Sequence, residues 1–327
     1  MGGDVSPIVK NVEGAIEAVE EDGFEVTLVG KKNAIEKEVS RYGKTHLPLT
    51  IENAEETVAM DETPSSAIRR KKNSSIWVAI RLVKEGKAEA FVSAGNTGAV
   101  MAMAKIQLGM LQHVERPAIA TLLPTSRGFS IMLDAGANVD SKPKHLYQFA
   151  LMGSVYAKNY CRRDLPRVGL LSIGEEESKG NELTKQTYEL LKRSHINFIG
   201  NVEGKDIFTG NADVVVCDGF VGNIILKSSE SLAEMVESLL REELRAGWRG
   251  RLAGLLMKPV YRNFRKKLTH AEYGGAPLLG INGVCIISHG SSSARAIKNA
   301  LFCAKDSLKY NLNQHIEEVL ENDRGGN

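Results

Sequence analysis

Short unbroken apolar runs, each followed by a helical pattern, constrain this 327-residue chain more than any other feature. The runs are FEVTLV (24–29), EAFVS (89–93), PAIATLL (117–123), FSIMLD (129–134), RVGLLSI (167–173), DVVVC (213–217) and VCIIS (284–288). They are strand-length, and taken together they run apolar rather than alternating apolar with polar. Strands covered on both faces read this way, and parallel sheets are covered because their crossover helices lie over them. Helical periodicity fills the intervals at 8–21, 33–42, 64–85, 97–111, 143–160, 181–193, 222–246 and 291–321. The alternation predicts one α/β domain over 1–327, with helices on both sides of a mostly parallel, doubly wound sheet.

That topology gives the loops meaning. Five of them follow a predicted strand and precede a predicted helix: SAGNTG (93–98), DAGANVDSK (134–142), GEEESKGNE (174–182), DGFVGN (218–223) and HGSSS (289–293). In a parallel sheet such loops emerge at the carboxyl edge, where ligands bind. One of them alone is an ordinary turn with a helix cap; five predict a cleft.

The residues suit an anion. Gly95, Gly98 and Gly219 let backbone N–H groups approach a ligand at a helix start. Thr97 and Ser291 add hydroxyls, and Asn96, Asn138, Asn181 and Asn223 add neutral two-way hydrogen bonders. Asp134, Asp140 and Asp218 could bind a metal or orient a donor, or simply form the turn at a strand end. Lys185 lies one helical turn after Asn181. His289 could hold an anion, move a proton or cap the next helix. Missing are G-x-G-x-x-G after a strand, G-x-S-x-G, and any His/Asp/Glu cluster at metal-ligand spacing. GNVEGKD (200–206) is one residue too short for a Walker loop and has Asp where Ser or Thr belongs.

Composition narrows the partners. The formal net charge of +2 gives no general attraction to nucleic acid. The four cysteines, Cys161, Cys217, Cys285 and Cys303, form no C-x-x-C pair and read as reduced thiols. No apolar run is long enough to span a bilayer. The basic segment RGRLAGLLMKPVYRNFRKKL (249–268) stands apart. Leu252, Leu256, Val260, Phe264 and Leu268 recur every four residues, and Arg251, Lys258, Arg262 and Arg265 group on another face. Pro259 kinks or splits this helix. The segment, with 247–270 as its bounds, reads either as an interfacial helix touching anionic lipid or an acidic protein, or as a helix packed on its own domain or a dimer partner. Arg69 and Lys71, in the run RRKK, could likewise meet an acidic partner or form a solvated face.

The motifs AIRRKKNSS, VSAGNTGAVM, DAGANVDSKPKHL, RVGLLSIGEEESKGNELTKQT, ADVVVCDGFVGNIILK and EYGGAPLLGINGVCIISHGSS occur in fixed order from Gly2 to the last helix. Together the chain resembles the bacterial phosphate acyltransferase family of phospholipid synthesis. The resemblance implies a three-layer α/β/α Rossmann-like fold of the isopropylmalate-dehydrogenase and phosphotransacetylase type. It implies transfer of a long acyl group from acyl carrier protein to inorganic phosphate, without metal or other cofactor. The acyl phosphate would feed a glycerol-3-phosphate acyltransferase. A cytoplasmic homodimer, peripherally bound to an anionic membrane, is also implied. Catalysis is expected from Lys185, Asn223 and His289, and phosphate or substrate binding from Gly95, Asn96, Thr97, Gly98, Asp134, Asn138, Asn181, Asp218, Gly219 and Ser291. Carrier or membrane contact is expected from Arg69, Lys71, Leu252, Leu256, Lys258, Arg262 and Lys266. The family's chains open with a strand running into Asp-Ala-Met-Gly-Gly-Asp, whereas this sequence starts at that Met, so a first strand is expected ahead of Met1. Alternatives are a phosphotransacetylase or phosphotransbutyrylase using short acyl-CoA, a metal- and nicotinamide-dependent dehydrogenase, and a membrane-bound scaffold of lipid synthesis.

Overall fold

The computed structural model describes residues 1–4, 7–44, 46–160, 162–245, 247, 257, 260 and 274–324. The strands are β1 (Val26–Gly30), β2 (Leu49–Asn53), β3 (Ala90–Ser93), β4 (Ala118–Ile119), β5 (Thr121–Thr125), β6 (Gly128–Leu133), β7 (Val168–Leu171), β8 (Phe198–Val202), β9 (Val214–Val216), β10 (Ala276–Leu279) and β11 (Val284–Ile287). The helices are α1 (Pro7–Asp22), α2 (Lys32–Arg41), α3 (Pro64–Arg70), α4 (Ser75–Lys84), α5 (Thr97–Gln107), α6 (Pro143–Asn159), α7 (Glu182–Lys192), α8 (Asp206–Thr209), α9 (Gly219–Arg245), α10 (Ala294–Lys309) and α11 (Leu312–Arg324).

Successive side chains of a strand point to opposite faces, and the two cores follow that rule. Ile131, Leu133, Val214 and Val216 pack with α6 in one core. Met132, Val215 and Cys217 pack in the other with Ile76 and Ile80 of α4 and Val100 and Met103 of α5. The sheet β5-β6-β9-β7-β8 is therefore the middle layer of three. A second sheet runs β3-β11-β10-β4, and β1 pairs with β2 in a third. Five of the eight strand pairings among the described residues are parallel. This is the α/β, mostly parallel architecture that the sequence predicts.

The details differ where tertiary contacts decide. The run 117–123 is two strands, because the chain changes sheets at Ala120: β4 pairs with β10 and β5 with β6. The helix expected over 64–85 breaks into α3 and α4, where Ser75 N–H donates to Glu56 O and Ser74 caps α4. The helix expected over 291–321 breaks at Asn311, whose φ of 46° is left-handed. β1 and β3, each with one ladder partner among the described residues, flank a cavity of about 600 Å³.

Candidate active site

The loop after β6 is built around one carboxylate. Asp134 is wholly buried, and its two oxygens accept five N–H bonds. Oδ1 accepts from the amides of Ile119 (3.1 Å), Gly136 (3.1 Å) and Ala137 (2.9 Å). Oδ2 accepts from the Asn138 amide (2.7 Å) and from Asn138 Nδ2 (2.9 Å). Burial pushes the Asp134 carboxyl up, and the donors pull against it. Asn138 Nδ2 also reaches Pro117 O at 2.7 Å, and Asn138 O accepts from Gly219 N at 2.8 Å. Asp134 and Asn138 thus hold the loops after β6 and β9 together.

Asp218 opens α9 by accepting from Val221 N at 3.0 Å. Gly222 faces the Asp134 carbonyl so closely that a Cβ there would overlap the oxygen. The exposed Asn223 lies against Gly136, where an added Cβ would come 3.3 Å from the Asn223 Cβ. One turn further along α9, Lys227 Nζ lies 3.1 Å from His289 Nε2 and 2.8 Å from Glu230 Oε2. His289 Nδ1 in turn lies 2.7 Å from Ser291 Oγ. The loop after β11 is therefore tied to α9.

The loop after β3 joins the loop after β11. Ser288 N donates to Ser93 O, and Asp4 N donates to Gly290 O. Asn96 caps α5 by accepting from Ala99 N at 2.9 Å, while its Nδ2 donates to the carbonyls of Ala59, Met60 and Glu62 at 2.9–3.0 Å. The Asn96 amide is thus spent on holding segment 59–62, and a Cβ on Gly290 would come 3.0 Å from Met60 Cε. Thr97 and Gly98 sit in the first turn of α5, half-buried.

The fifth loop stands apart. Asn181 caps α7 by accepting from Thr184 N at 2.9 Å, and Lys185 is exposed. Among the described residues, no hydrogen bond or ion pair joins segment 174–182 or Lys185 to the other four loops. Lys71 is held by Thr57 O at 2.7 Å and Glu62 at 2.6 Å, and Arg69 Nε donates to Ser65 O. Leu252, Leu256, Lys258, Arg262 and Lys266 lie outside the described residues.

Lys227, Glu230 and segment 59–62 belong to this cluster although no motif in the sequence marks them. Lys227 carries a local signal, four residues after Asn223 and so on the same helical face. Its contact with His289 depends on the fold. The described thiols are poor nucleophile candidates: Cys217, Cys285 and Cys303 are buried, and burial pushes Cys285 up to about 12 and Cys303 to about 11. Four joined loops, two from each of two sheets, therefore offer hydroxyls, amides, one lysine and one histidine. That set suits holding an anion that itself reacts.

The model of the fatty acid synthesis protein family matches residues 1–315. A phosphate acyltransferase from Desulforamulus reducens is 52% identical over 329 residues, covering 99% of this chain and 97% of that protein. One from Geobacter sulfurreducens is 51% identical, covering 98% and 92%. Among solved structures, a phosphotransacetylase from Streptococcus pyogenes superposes with a TM-score of 0.61 at 16% identity, covering 94% of this chain and 91% of that one. The EutD phosphotransacetylase from Staphylococcus aureus gives 0.56 at 14% identity, covering 94% and 97%. At such identities the likeness speaks for the fold.

Proposed function

The chain belongs to the fatty acid synthesis protein family and is a phosphate acyltransferase; we propose that its acyl donor is a long-chain acyl-acyl carrier protein. The observation that carries the mechanism is the joining of the loops after β3, β6, β9 and β11 through the Asp134, Asn138, Lys227 and His289 contacts. Phosphate is itself a nucleophile and a thioester is already activated. The protein need only hold the anion beside the carbonyl carbon, offset its charge and stabilise the oxyanion. An oxygen of hydrogen phosphate attacks the carbonyl carbon and the C–S bond breaks. The phosphate proton ends on the departing thiol, so no proton is gained or lost. Ser291, His289, Asn223 and Lys227, all exposed on the joined loops and the start of α9, are the groups assigned to this task, and no acyl-enzyme is required.

The test is phosphate-dependent release of carrier thiol. Long-chain acyl-acyl carrier protein is expected to turn over at least tenfold faster than the matching acyl-CoA or acetyl-CoA. Faster turnover of short acyl-CoA would overturn the donor assignment, and a side chain acylated on the pathway would overturn direct attack.

The product suits delivery to a glycerol-3-phosphate acyltransferase at a membrane. No described helix is long and apolar enough to cross one. We assign peripheral attachment and carrier docking to the basic segment 247–270, in a homodimer. Reversing the charges of Arg262 and Lys266 is expected to weaken co-sedimentation with anionic vesicles several-fold, because each basic residue near such a surface contributes about 1 kcal/mol. Unchanged co-sedimentation and carrier affinity would remove the segment from both roles.

A further inference from the structure

The first turns of α9 leave two large apolar side chains in the open beside a polar site. Phe220 is 56% exposed and Ile224 49% exposed. One exposed apolar residue is ordinary on a protein surface, but two in adjacent turns at a ligand site form a patch that gains from being covered. The helix itself sets where they lie. Ile225 and Leu226 pack against the core, and Gly222 and Asn223 face the loop after β6. Phe220 and Ile224 are four residues apart, and Lys227 follows three later, so the three form one stripe off the buried face. At its near end, Gly219 N donates to Asn138 O at 2.8 Å. At its far end, Lys227 Nζ is 3.1 Å from His289 Nε2. The apolar pair therefore lies between the contact that joins the loops after β6 and β9 and the contact that ties in the loop after β11. From Lys227 to Ser231 the helix turns polar, which bounds the patch at the site.

The chemistry says what covers it. A phosphate acyltransferase brings phosphate, a thioester and an alkyl chain to one place. Asn223, Lys227, His289 and Ser291 suit the phosphate and the carbonyl oxygen, and none of them suits methylene groups. Phe220 and Ile224 do, and they are continuous with those polar groups along α9. With the carbonyl carbon held beside phosphate, the methylenes that follow it leave along this stripe. We propose that Phe220 and Ile224 are the seat of the acyl chain and set the preference for a long acyl donor. The assignment rests on the reading above, in which the donor carries a long chain.

The experiment compares palmitoyl- and acetyl-acyl carrier protein, since the acetyl group has no methylene to seat. Binding to the full chain is measured by calorimetry without phosphate, so that no turnover intervenes. The wild type is expected to bind the palmitoyl form at least about tenfold more tightly. The double variant Phe220→Ala/Ile224→Ala should lose about tenfold in palmitoyl affinity, the burial of about two methylenes, and stay within about twofold for acetyl. With phosphate added, its kcat/KM for the palmitoyl donor should fall likewise, while the KM for phosphate stays within about twofold. Both side chains are exposed, so the variant should keep the wild-type circular dichroism. Ile224→Leu, which conserves apolar volume, should keep most of the preference. Leu239→Ala, far along α9 and 54% exposed, should leave it unchanged. Equal losses for both acyl groups would place the pair against the carrier or a second copy of the chain, and would overturn the seat. So would a palmitoyl preference that survives the double variant, or one that Leu239→Ala removes as fully. Palmitoyl- and acetyl-CoA repeat the comparison without the carrier. If the CoA thioesters turn over faster, the carrier-protein reading falls, and the chain-length comparison still decides the seat.

Discussion

Replacing Asp134 by Asn is expected to lower stability by about 4 kcal/mol, a large share of the stability of an ordinary domain. The change is nearly isosteric, so the cost comes from hydrogen-bond polarity. Both carboxylate oxygens act only as acceptors, and five N–H groups converge on them. An amide must put its NH₂ at one of the two positions. At Oδ2 it would face the Asn138 amide and Asn138 Nδ2, donor against donor; at Oδ1 it would face three backbone amides. The mismatch is buried, because Asp134 has no exposed surface. Thermal unfolding should shift down by about 5–10 °C. A shift of less than about 1–2 °C would mean that the knot relaxes at little cost. Activity should fall with it, since the loops after β6 and β9 are joined through this carboxylate.

The layering was legible for a simple physical reason. Ile131 to Leu133 and Val214 to Val216 are apolar at every position because both faces of their sheet are covered, and an unbroken apolar run is the sign of that burial. β2, β8 and β10 escaped because Leu49–Asn53 is half-exposed and Phe198–Val202 lies at a sheet edge, while Ala276–Leu279 is a short run beginning beside Pro277. The break between α3 and α4 was hidden because it depends on Glu56, a residue far back in the chain.

The site divides in the same way. That Gly- and Asn-rich loops follow strands and precede helices can be read from alternation; that four of them meet, two from each of two sheets, while the fifth stands apart, cannot. Which side chains face a ligand and which hold the scaffold does not follow, because the deciding partners are remote. Asn96 reads as a free amide until segment 59–62 is seen against it. Asn138 reads likewise until Pro117 is found at its Nδ2. Lys185 looks well placed on its helix, yet its loop makes no described bond to the others. Lys227 had the right spacing from Asn223, and only the fold brings His289 to it.

Gly222→Ala should show how far the chemistry depends on that scaffold. A Cβ at this position would overlap the Asp134 carbonyl oxygen and would also come 3.1 Å from Cys217 Sγ. The main obstacle is backbone on both sides, so no rotamer change relieves it. Either α9 moves away from the β6 loop or the Asp134 knot opens, and each route costs several kcal/mol, on the order of 3 or more. Movement of α9 carries Asn223 away from Gly136 and Lys227 away from His289, and the latter pair is only 3.1 Å apart. The expected result is a loss of activity of at least about a hundredfold, the scale on which misplacement of about 1 Å acts in catalysis. That loss should persist at a temperature where circular dichroism shows the variant still folded. Gly23→Ala provides the contrast: nothing lies within 4 Å of a Cβ there, and its φ of 70° makes the substitution strained without touching the site. It should lower the melting temperature and leave turnover of the folded protein unchanged. If Gly222→Ala behaves like Gly23→Ala, losing stability but keeping wild-type kcat and both KM values, then α9 does not position the reacting groups, and their assignment to its first three turns fails.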